Sequence, residues 1–549
     1  MNVWLQHLPV LPIVIPLTAG AAMLLLSESQ RAARVTIALA SMLGQFAAAV
    51  ALLYLTTDAV SDIWTEGVGV YAIGAWPAPF GIVLVVDRLS AMMVVLGAAV
   101  ALSALVYSLA RWDRPGQPFH SLLQFLMMGL NGAFLTGDLF NLFVFFEVLL
   151  AASYGLMLRG LGPARVKAGL HYIVVNLAAS LLFLLGVALI YGIVGTLNMA
   201  DLSARAAALA PGERALFDAG LSILAVAFLV KAGSWPLNFW LPGTYSLSGA
   251  PVAAAFAMLT KVGVYGVLRI GSLMSEGDAA LGPALFYIGL ATLLSGTVGM
   301  LATQHLARLI SYSVIVSTGT LLAALGLGID ALTAPVLFYL LTSVLTTAAF
   351  FLLTGMTERT RPSAQSIPVP EQPSPPTPFY AAFGVNEPDP SRVDDEAGVA
   401  IPAAMAFLGL AFICCVLLVT GLPPLPGFIA KFAMLSIAMG ASSGGEVSMP
   451  MWTLAITVLA ASFAAVIALT RIGIRLFWTV TGRTTPRLSI IEAAPVAFLL
   501  SLCVALTVSA GPVMTYLESA ATSLHEPDAY IRAVLPAKSV LPERRDFQP

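Results

Sequence analysis

The chain has 549 residues, of which 59% are hydrophobic and only 10% are charged. A water-soluble protein of this length could not bury so much apolar surface, so the composition excludes that class and predicts a membrane protein. The formal net charge of −2 excludes a basic surface for nucleic acid.

Apolar runs long enough to cross a bilayer core recur along nearly the whole chain. A core of about 30 Å needs roughly 20 residues of helix, and this length predicts about fourteen transmembrane helices in an all-α polytopic fold. The predicted spans are 8–27, 33–57, 82–109, 119–136, 138–158, 166–195, 216–240, 246–272, 281–301, 304–328, 332–355, 399–437, 451–480 and 490–517.

The charged residues of the loops predict the orientation. Basic residues are concentrated in loops after odd-numbered helices, whereas loops after even-numbered helices hold few of them. Because basic loops stay in the cytoplasm, both termini are predicted to be extracytoplasmic, in a multi-pass protein of the cell inner membrane. The first set includes Arg31, Arg34, Arg111, Arg114, Arg159, Arg165 and Lys167, and the second is Arg88, Arg205, Arg214 and Arg269.

One stretch, 356–400, breaks the membrane pattern. It contains the run IPVPEQPSPPTP and ends in the acidic residues Asp394, Asp395 and Glu396. This composition cannot form a core and predicts a cytoplasmic linker of polyproline character, with docking of a partner subunit as the alternative. The predicted units are a membrane domain 1–355, the linker 356–400, a second membrane part 401–517 and an extracytoplasmic tail 518–549.

Helices 7 and 12 are predicted to be discontinuous. Lys231 is followed by Pro236, and Pro423 and Pro424 precede Lys431. Proline interrupts a helix, and the freed backbone groups need protein or water, so such breaks line cavities rather than lipid.

The two interruptions lie about 200 residues apart, and corresponding broken helices are typical of transporters with inverted repeats. The spacing predicts two inverted five-helix repeats, helices 4–8 and helices 9–13. The first covers about 119–272 and the second starts near 281.

Three lysines, Lys231, Lys261 and Lys431, and the carboxylate of Glu147 lie deep inside long apolar stretches. Each charge costs several kcal/mol at bilayer depth, about 2.5 or more, so such groups are retained mainly along ion paths. Movement of Glu147 toward or away from Lys231 would load or release a proton. The alternative is that each lysine reaches to the interface or forms a structural ion pair.

The sequence offers no redox or metal site. Cys414, Cys415 and Cys503 lie in apolar segments, and no CxxC, paired His or carboxylate cluster offers iron–sulfur, haem or zinc ligation. We therefore predict no cofactor and no metal.

Four segments carry a family resemblance. They are DLFNLFVFFEVLL from Asp138, KAGSWPLNFWLPGTYSLSGAPVAAAFAMLTKVGVYGVLR from Lys231, QHLARLISYS from Gln304 and GLPPLPGFIAKF from Gly421. They resemble the antiporter-like subunits shared by Mrp-type multisubunit cation/proton antiporters and respiratory complex I, and DLFNLFVFFE and LTKVGVYG are more similar to the D subunits of Mrp antiporters.

The resemblance implies a hydrated polar axis along the membrane midplane. It gives Glu147 the role of the carboxylate that pairs with a lysine, Lys231 that of the lysine of the first broken helix, Lys261 that of the central relay and Lys431 that of the lysine of the second broken helix. It also implies other Mrp subunits as partners and exchange of protons for Na+ or K+.

Departures from the family pattern affect the relay. Asn238 stands where relatives often have His, and His305 replaces an acidic residue. Helix 11 supplies Thr342 and Thr347 where many relatives have His and Lys. Ser317, Thr342, Thr346 and Thr347 could hold water for proton transfer, with His305 as a further member, or the hydroxyls could instead bond to their own helices. Asp138 is predicted as an interfacial cap or a cation entrance.

Three hypotheses for function follow. The first is a proton-translocating subunit of a monovalent cation (Na+ or K+)/proton antiporter, a secondary transporter rather than an enzyme. The second is a proton-pumping subunit of complex I or of a membrane-bound hydrogenase. The third is a scaffold subunit that transports nothing.

Overall fold

The computed structural model describes residues 3–27, 29–57, 64–111, 118–160, 162–273, 281–358, 403–441, 447–477 and 488–536. Thirteen helices within these ranges are long and apolar enough to cross a membrane, and Phe119–Leu135 is a shorter apolar helix. The predicted polytopic helical fold is confirmed. Nearly all of the predicted linker 356–400 and the end of the predicted tail 518–549 lie outside the described residues.

The N-terminal region adds a hairpin that the sequence did not predict. The third predicted helix was expected from residue 82, but residues 83–86 form a strand, and the helix begins only after Asp87, whose Oδ1 accepts a hydrogen bond from the Ser90 backbone N–H at 2.8 Å. Four β-branched or apolar residues in succession favour a strand there. The elements are α1 Val3–Gln6, a 3₁₀ turn Leu8–Val10, α2 Leu11–Leu25, α3 Arg31–Leu55, β1 Gly69–Ala72, β2 Val83–Val86 and α4 Arg88–Arg111, with β1 and β2 antiparallel and Gly69 opposite Val86.

The first five-helix unit contains the predicted interruption of helix 7. Its long helix ends at Gly233, where φ is +74° and the Gly233 N–H closes the last turn. The chain resumes as a helix only at Trp240. The elements are α5 Phe119–Leu135, α6 Leu139–Met157, α7 Pro163–Val194, α8 Met199–Ala206, α9 Pro211–Ala232, α10 Trp240–Leu247, α11 Ala250–Phe256 and α12 Leu259–Leu273.

Helix 8 is also interrupted, which the sequence did not predict. Lys261 was expected in an unbroken helix, but α11 ends at Phe256 and α12 starts at Leu259. The N–H groups of Ala257 and Met258 donate to carbonyls three residues back, at 3.2 Å each, which is tighter than α-helical bonding. Lys261 therefore follows a local distortion.

The second five-helix unit repeats the order of the first, with its break between α16 and α17. An odd number of crossings separates corresponding helices, so the second unit is inverted relative to the first. The elements are α13 Leu281–Ala302, α14 Leu306–Leu325, α15 Thr333–Thr357, α16 Ala403–Thr420, α17 Pro426–Gly440 and α18 Met449–Phe477, followed by α19 Ile490–Val508, α20 Ala510–His525 and α21 Asp528–Val534.

Close packing joins the two helices that carry Lys231 and Lys261. A Cβ placed on Gly263 of α12 would lie 2.5 Å from the Ala232 N and 2.6 Å from the Phe228 O of α9. Only glycine allows the two backbones to approach so closely. The end of α9 and the start of α12 are therefore fixed against each other.

A buried ion pair holds the far end of α12. Arg269 donates to both carboxylate oxygens of Asp87, at 2.6 and 2.8 Å, and the Tyr530 ring lies 5.5 Å from its guanidinium. Burial by itself raises the pKa of the Asp87 carboxyl, but the charge and hydrogen bonds of Arg269 outweigh burial and hold that pKa below its usual range. Arg269 lies in α12, whereas the prediction of orientation assigned it to a loop.

Candidate functional site

Glu147 and Lys231 meet through a serine. The Ser180 hydroxyl of α7 donates to Glu147 Oε1 of α6, and the Lys231 Nζ of α9 donates to Ser180 Oγ at 3.2 Å. Three neighbouring helices thus place a carboxylate, a hydroxyl and an ammonium in one hydrogen-bonded series. Such a series can pass a proton or adjust the balance of charge between its ends.

The surroundings of Lys231 are largely apolar. Its Nζ lies 5.1 Å from the centre of the Phe146 ring, a cation–π distance. Behind it is a cavity of about 20 Å³ lined by Asn176, Trp240 and Val262 among others, which is room for about one water. Trp240 Nε1 is buried without an acceptor among the described residues, so a water in this cavity would satisfy it.

Lys261 is buried and contacts the second unit. Its Nζ donates to Ser317 Oγ at 3.0 Å and to Thr318 Oγ1 at 3.3 Å, both on α14. Because α14 belongs to the second unit, Lys261 joins the two repeats. Ser317 was predicted as a relay residue, and this contact places it directly beside the central lysine.

A second cavity connects Ser317 to Lys431. It has a volume of about 30 Å³, room for one or two waters. Its wall includes the predicted relay residues Ser317, Thr342, Thr346 and Thr347. Further hydroxyls come from Ser313, Thr320, Tyr339, Ser343 and Ser462, and Lys431 also lines the cavity.

The threonine hydroxyls of α15, the predicted helix 11, donate to backbone carbonyls of their own helix. Thr342 donates to the Tyr339 O at 3.0 Å, Thr346 to the Thr342 O at 2.6 Å and Thr347 to the Ser343 O at 2.6 Å. Their protons are therefore engaged, while their oxygen lone pairs remain able to accept from water. The geometry favours these threonines as acceptors that hold water rather than as proton carriers.

Lys431 binds oxygen atoms at the second break. Its Nζ donates to the Val419 O at 3.2 Å, to the Thr420 O at 3.1 Å and to Ser462 Oγ at 2.9 Å. The two carbonyls belong to the end of α16, and Ser462 belongs to α18. The ammonium thus satisfies carbonyls that the end of a helix leaves without partners.

The remaining predicted residues lie outside both cavities. His305 is exposed immediately before α14, and its side chain does not cap that helix. Asp138 caps α6 by accepting from the Asn141 N–H at 2.8 Å, and burial raises the pKa of its carboxyl. Asn238 donates to Ser295 Oγ at 2.7 Å. Pro236, Pro423 and Pro424 lie in the two interruptions.

Ser180 and Ser462 were not predicted from the sequence. Ser180 is fully buried on α7, four residues after the buried Asn176, and this polar spacing on one face of an apolar helix was the available signal. Ser462 stands in an alanine-rich stretch with no comparable signal. Its contact with Lys431 depends on how α17 and α18 pack.

Comparison with known proteins finds the same fold in a chain of an Mrp complex and in a chain of respiratory complex I. Residues 136–382 match the family described as NADH:quinone oxidoreductase/Mrp antiporter, TM. The solved Mrp complex of Dietzia sp. DQ12-45-1b contains a chain that superposes with a TM-score of 0.79 at 25% identity, covering 97% of this chain and all of that one. A chain of Thermus thermophilus respiratory complex I, at 22% identity and a TM-score of 0.70, shares the fold over 96% of this chain and 99% of its own.

Similarity to the D subunits of antiporters extends over the full chain. The D subunit of a probable K(+)/H(+) antiporter from Rhizobium meliloti (strain 1021) is 49% identical over 98% of this chain and 99% of its own. The D subunit of the Na(+)/H(+) antiporter from Bacillus subtilis (strain 168) is 31% identical over 97% of this chain and its own full length. The resemblance expected from the four motifs is confirmed, and the chain belongs to the family of Mrp-type cation/proton antiporter D subunits.

Proposed function

We propose that this chain translocates protons within a multisubunit monovalent cation/proton antiporter. The observation that carries the proposal is that Ser317 both binds Lys261 and lines the cavity that reaches Lys431. Together with the Glu147–Ser180–Lys231 series, it gives polar groups on both sides of the contact between the two units.

The proposed mechanism uses lysines as proton carriers and water as the link between them. A proton on Lys231 is stabilised while the Glu147 carboxylate is near and released when that charge withdraws. Lys261 passes it to water in the second cavity, where the threonine oxygens orient that water, and Lys431 receives it. Coupling to cation movement is electrostatic, because a positive charge at one site lowers the affinity for another nearby.

The names of the relatives support the remaining assignments. They describe K(+)/H(+) and Na(+)/H(+) antiporter subunits, so we propose one of these cations as the exchanged ion and other Mrp subunits as the partners. With basic loops in the cytoplasm, the protein would lie in the cell inner membrane with both termini outside. His305 and Asp138 stay as a candidate relay residue and a candidate cation entrance.

Pumping driven by electron transfer is the second candidate, because the same fold occurs in complex I. The same lysines would then carry protons, but the energy would come from partner subunits. Identification of the subunits that copurify with this chain distinguishes the two functions, since redox-driven pumping requires partner subunits with redox centres.

Proton flux in everted vesicles that contain the intact complex tests the proposal. Addition of NaCl or KCl should collapse a preformed pH gradient in the parent and not in Lys261→Ala. Lys167→Ala, at an exposed lysine of α7, is the matched control and should equal the parent. Normal flux in an assembled Lys261→Ala complex would contradict the relay and favour a scaffold.

A further inference from the structure

The oxygen atoms around Lys431 form a site of their own. The Val419 and Thr420 carbonyls and the Ser462 hydroxyl converge on one point, which the ammonium of Lys431 now occupies at 2.9–3.2 Å. We infer that this oxygen set binds a monovalent alkali cation, and that the cation and the Lys431 ammonium occupy it in alternation. The inference rests on the proposed function and names the place where proton and cation exchange.

These carbonyls are available because of how α16 ends. The N–H groups of Gly421 and Leu422 both donate to the Leu417 O, at 3.0 Å each, and leave the Val419 and Thr420 carbonyls to the lysine. Carbonyl oxygens replace the hydration shell of potassium in channels, and the C-terminal ends of broken helices coordinate cations in transporters. The same oxygens that accept from an ammonium therefore suit an ion of similar size and charge.

The first break lacks such a site. The carbonyls of Lys231 and Ala232 stand in the same places before Gly233 as those of Val419 and Thr420 before Gly421. No side chain of the described residues donates to them, and the Lys231 Nζ donates to Ser180 Oγ instead. Of the breaks in helices 7 and 12, only the second presents helix-end carbonyls to a titratable group.

Charge makes the occupancy exclusive. A cation and an ammonium that share the same oxygens repel each other, so the cation enters as Lys431 loses its proton to water in the adjoining cavity. One positive charge leaves and one arrives, so the net charge of the site is unchanged. The amine can move aside because lysine has a long flexible side chain. Lys431 and Ser462 are partly exposed at the surface of the chain.

Other titratable groups do not replace Lys431 in this exchange. Of the described residues that line the cavity, Tyr339 is the only titratable one besides Lys431. The elements packed against α17 also carry Asp330, Cys414, Cys415, Arg471, Arg475, Glu492 and Cys503, which are not in the cavity wall.

Binding of ²²Na+ and of ⁸⁶Rb+, a potassium substitute, to the purified whole complex tests the inference. For simple competition, the apparent Kd for the bound cation should rise about tenfold for each unit that pH falls below the lysine's titration. Lys431→Ala should make this binding independent of pH. Lys431→Arg keeps a charge that cannot be removed and should abolish it at every pH.

Ser462→Ala keeps the lysine and removes one oxygen. It should raise the Kd several-fold, whereas Ser501→Ala, at an exposed serine of α19, should not change it. A parent complex that exchanges cations, but whose binding and pH dependence are the same in Ser462→Ala, Lys431→Ala and Lys431→Arg, would overturn this inference and leave the proposed function standing. A parent complex that exchanges no cation would overturn the proposed function itself.

Discussion

The two broken helices have similar backbone geometry but different side-chain chemistry. Gly233 and Gly421 both end a helix with φ near +73°. A proline follows three residues later in each case, Pro236 and Pro424. When the two segments are aligned on these glycines and prolines, Lys231 takes the position of Val419, which contributes only its backbone carbonyl to the site around Lys431. Lys431 comes instead from the helix after its break and reaches back across it.

Because of this difference, the two lysines have different partners. Lys231 faces a carboxylate through Ser180, so its proton responds to the position of a negative charge. Lys431 faces neutral oxygens, so its proton competes with whatever else those oxygens bind. We therefore propose a charge switch at the first break and an exchange site at the second.

Removal of the carboxylate is the strongest test of the switch. Glu147→Gln keeps the size of the side chain and its ability to bond Ser180, but removes the charge that stabilises the Lys231 ammonium. We expect cation-driven collapse of the pH gradient in everted vesicles to fall to the level of vesicles without the complex.

Glu213→Gln is the matched control, because Glu213 is exposed at the start of α9. It should transport like the parent. Normal transport by an assembled Glu147→Gln complex would remove the distinction between the two breaks, since neither would then depend on a carboxylate.

A substitution at the contact between α9 and α12 tests whether the first break acts together with Lys261. In Gly263→Ala, the new methyl group would meet the Ala232 N and Phe228 O within 2.6 Å, and backbone atoms cannot move aside as side chains do. Overpacking of this kind costs roughly 1–3 kcal/mol. We expect a lower melting temperature of the purified complex and reduced proton flux.

Gly271→Ala lies on the same helix, where an added Cβ would meet nothing within 4 Å. It should melt like the parent or slightly higher, because alanine favours helix. Equal melting and flux in the two variants would show that close packing at Gly263 is not required.

Substitution of Ser180, the serine between Glu147 and Lys231, is expected to have a smaller effect on proton flux. Ser180→Ala removes the group that joins Glu147 to Lys231, and a hydrogen bond to a charged group contributes roughly 1.5–3 kcal/mol, or about tenfold in rate at the lower end. We expect initial proton flux to fall by that factor without loss of assembly.

Ser180→Thr retains the hydroxyl and should recover much of the flux. Ser501→Ala controls for the loss of a serine elsewhere. If Ser180→Ala and Ser501→Ala transport equally, Glu147 and Lys231 must communicate without the bridge.

The sequence predicted features that depend on local chemistry. Proline and glycine near Lys231 and Lys431 were sufficient to place both breaks, because they disrupt a helix regardless of its neighbours. The interruption before Lys261 was missed because Ala257 and Met258 are ordinary helix formers and give no sign of a break in the sequence.

Side-chain partners depended on packing that the sequence does not determine. Buried charges identified Glu147, Lys231, Lys261 and Lys431, since their cost in lipid requires a reason. Ser180 is 33 residues from Glu147, and its contact depends on the rotation of α7 against α6. The same is true of Ser462, which approaches Lys431 from a different helix.

The smallest effect is expected in the cavity between Lys261 and Lys431. Thr346→Val removes one acceptor from the wall, but the lost hydroxyl proton was already engaged by the Thr342 O, so no carrier is lost. Water can reorient toward the remaining hydroxyls, and we expect flux to fall by less than about twofold, which corresponds to less than about 0.5 kcal/mol. Thr453→Val removes the same type of i−4 bond, 2.7 Å to the Met449 O, at an exposed position and serves as the control. A loss in Thr346→Val as large as that in Ser180→Ala would mean that the threonine itself carries the proton, and the second unit would then be a hydroxyl relay rather than a water-filled link to an exchange site.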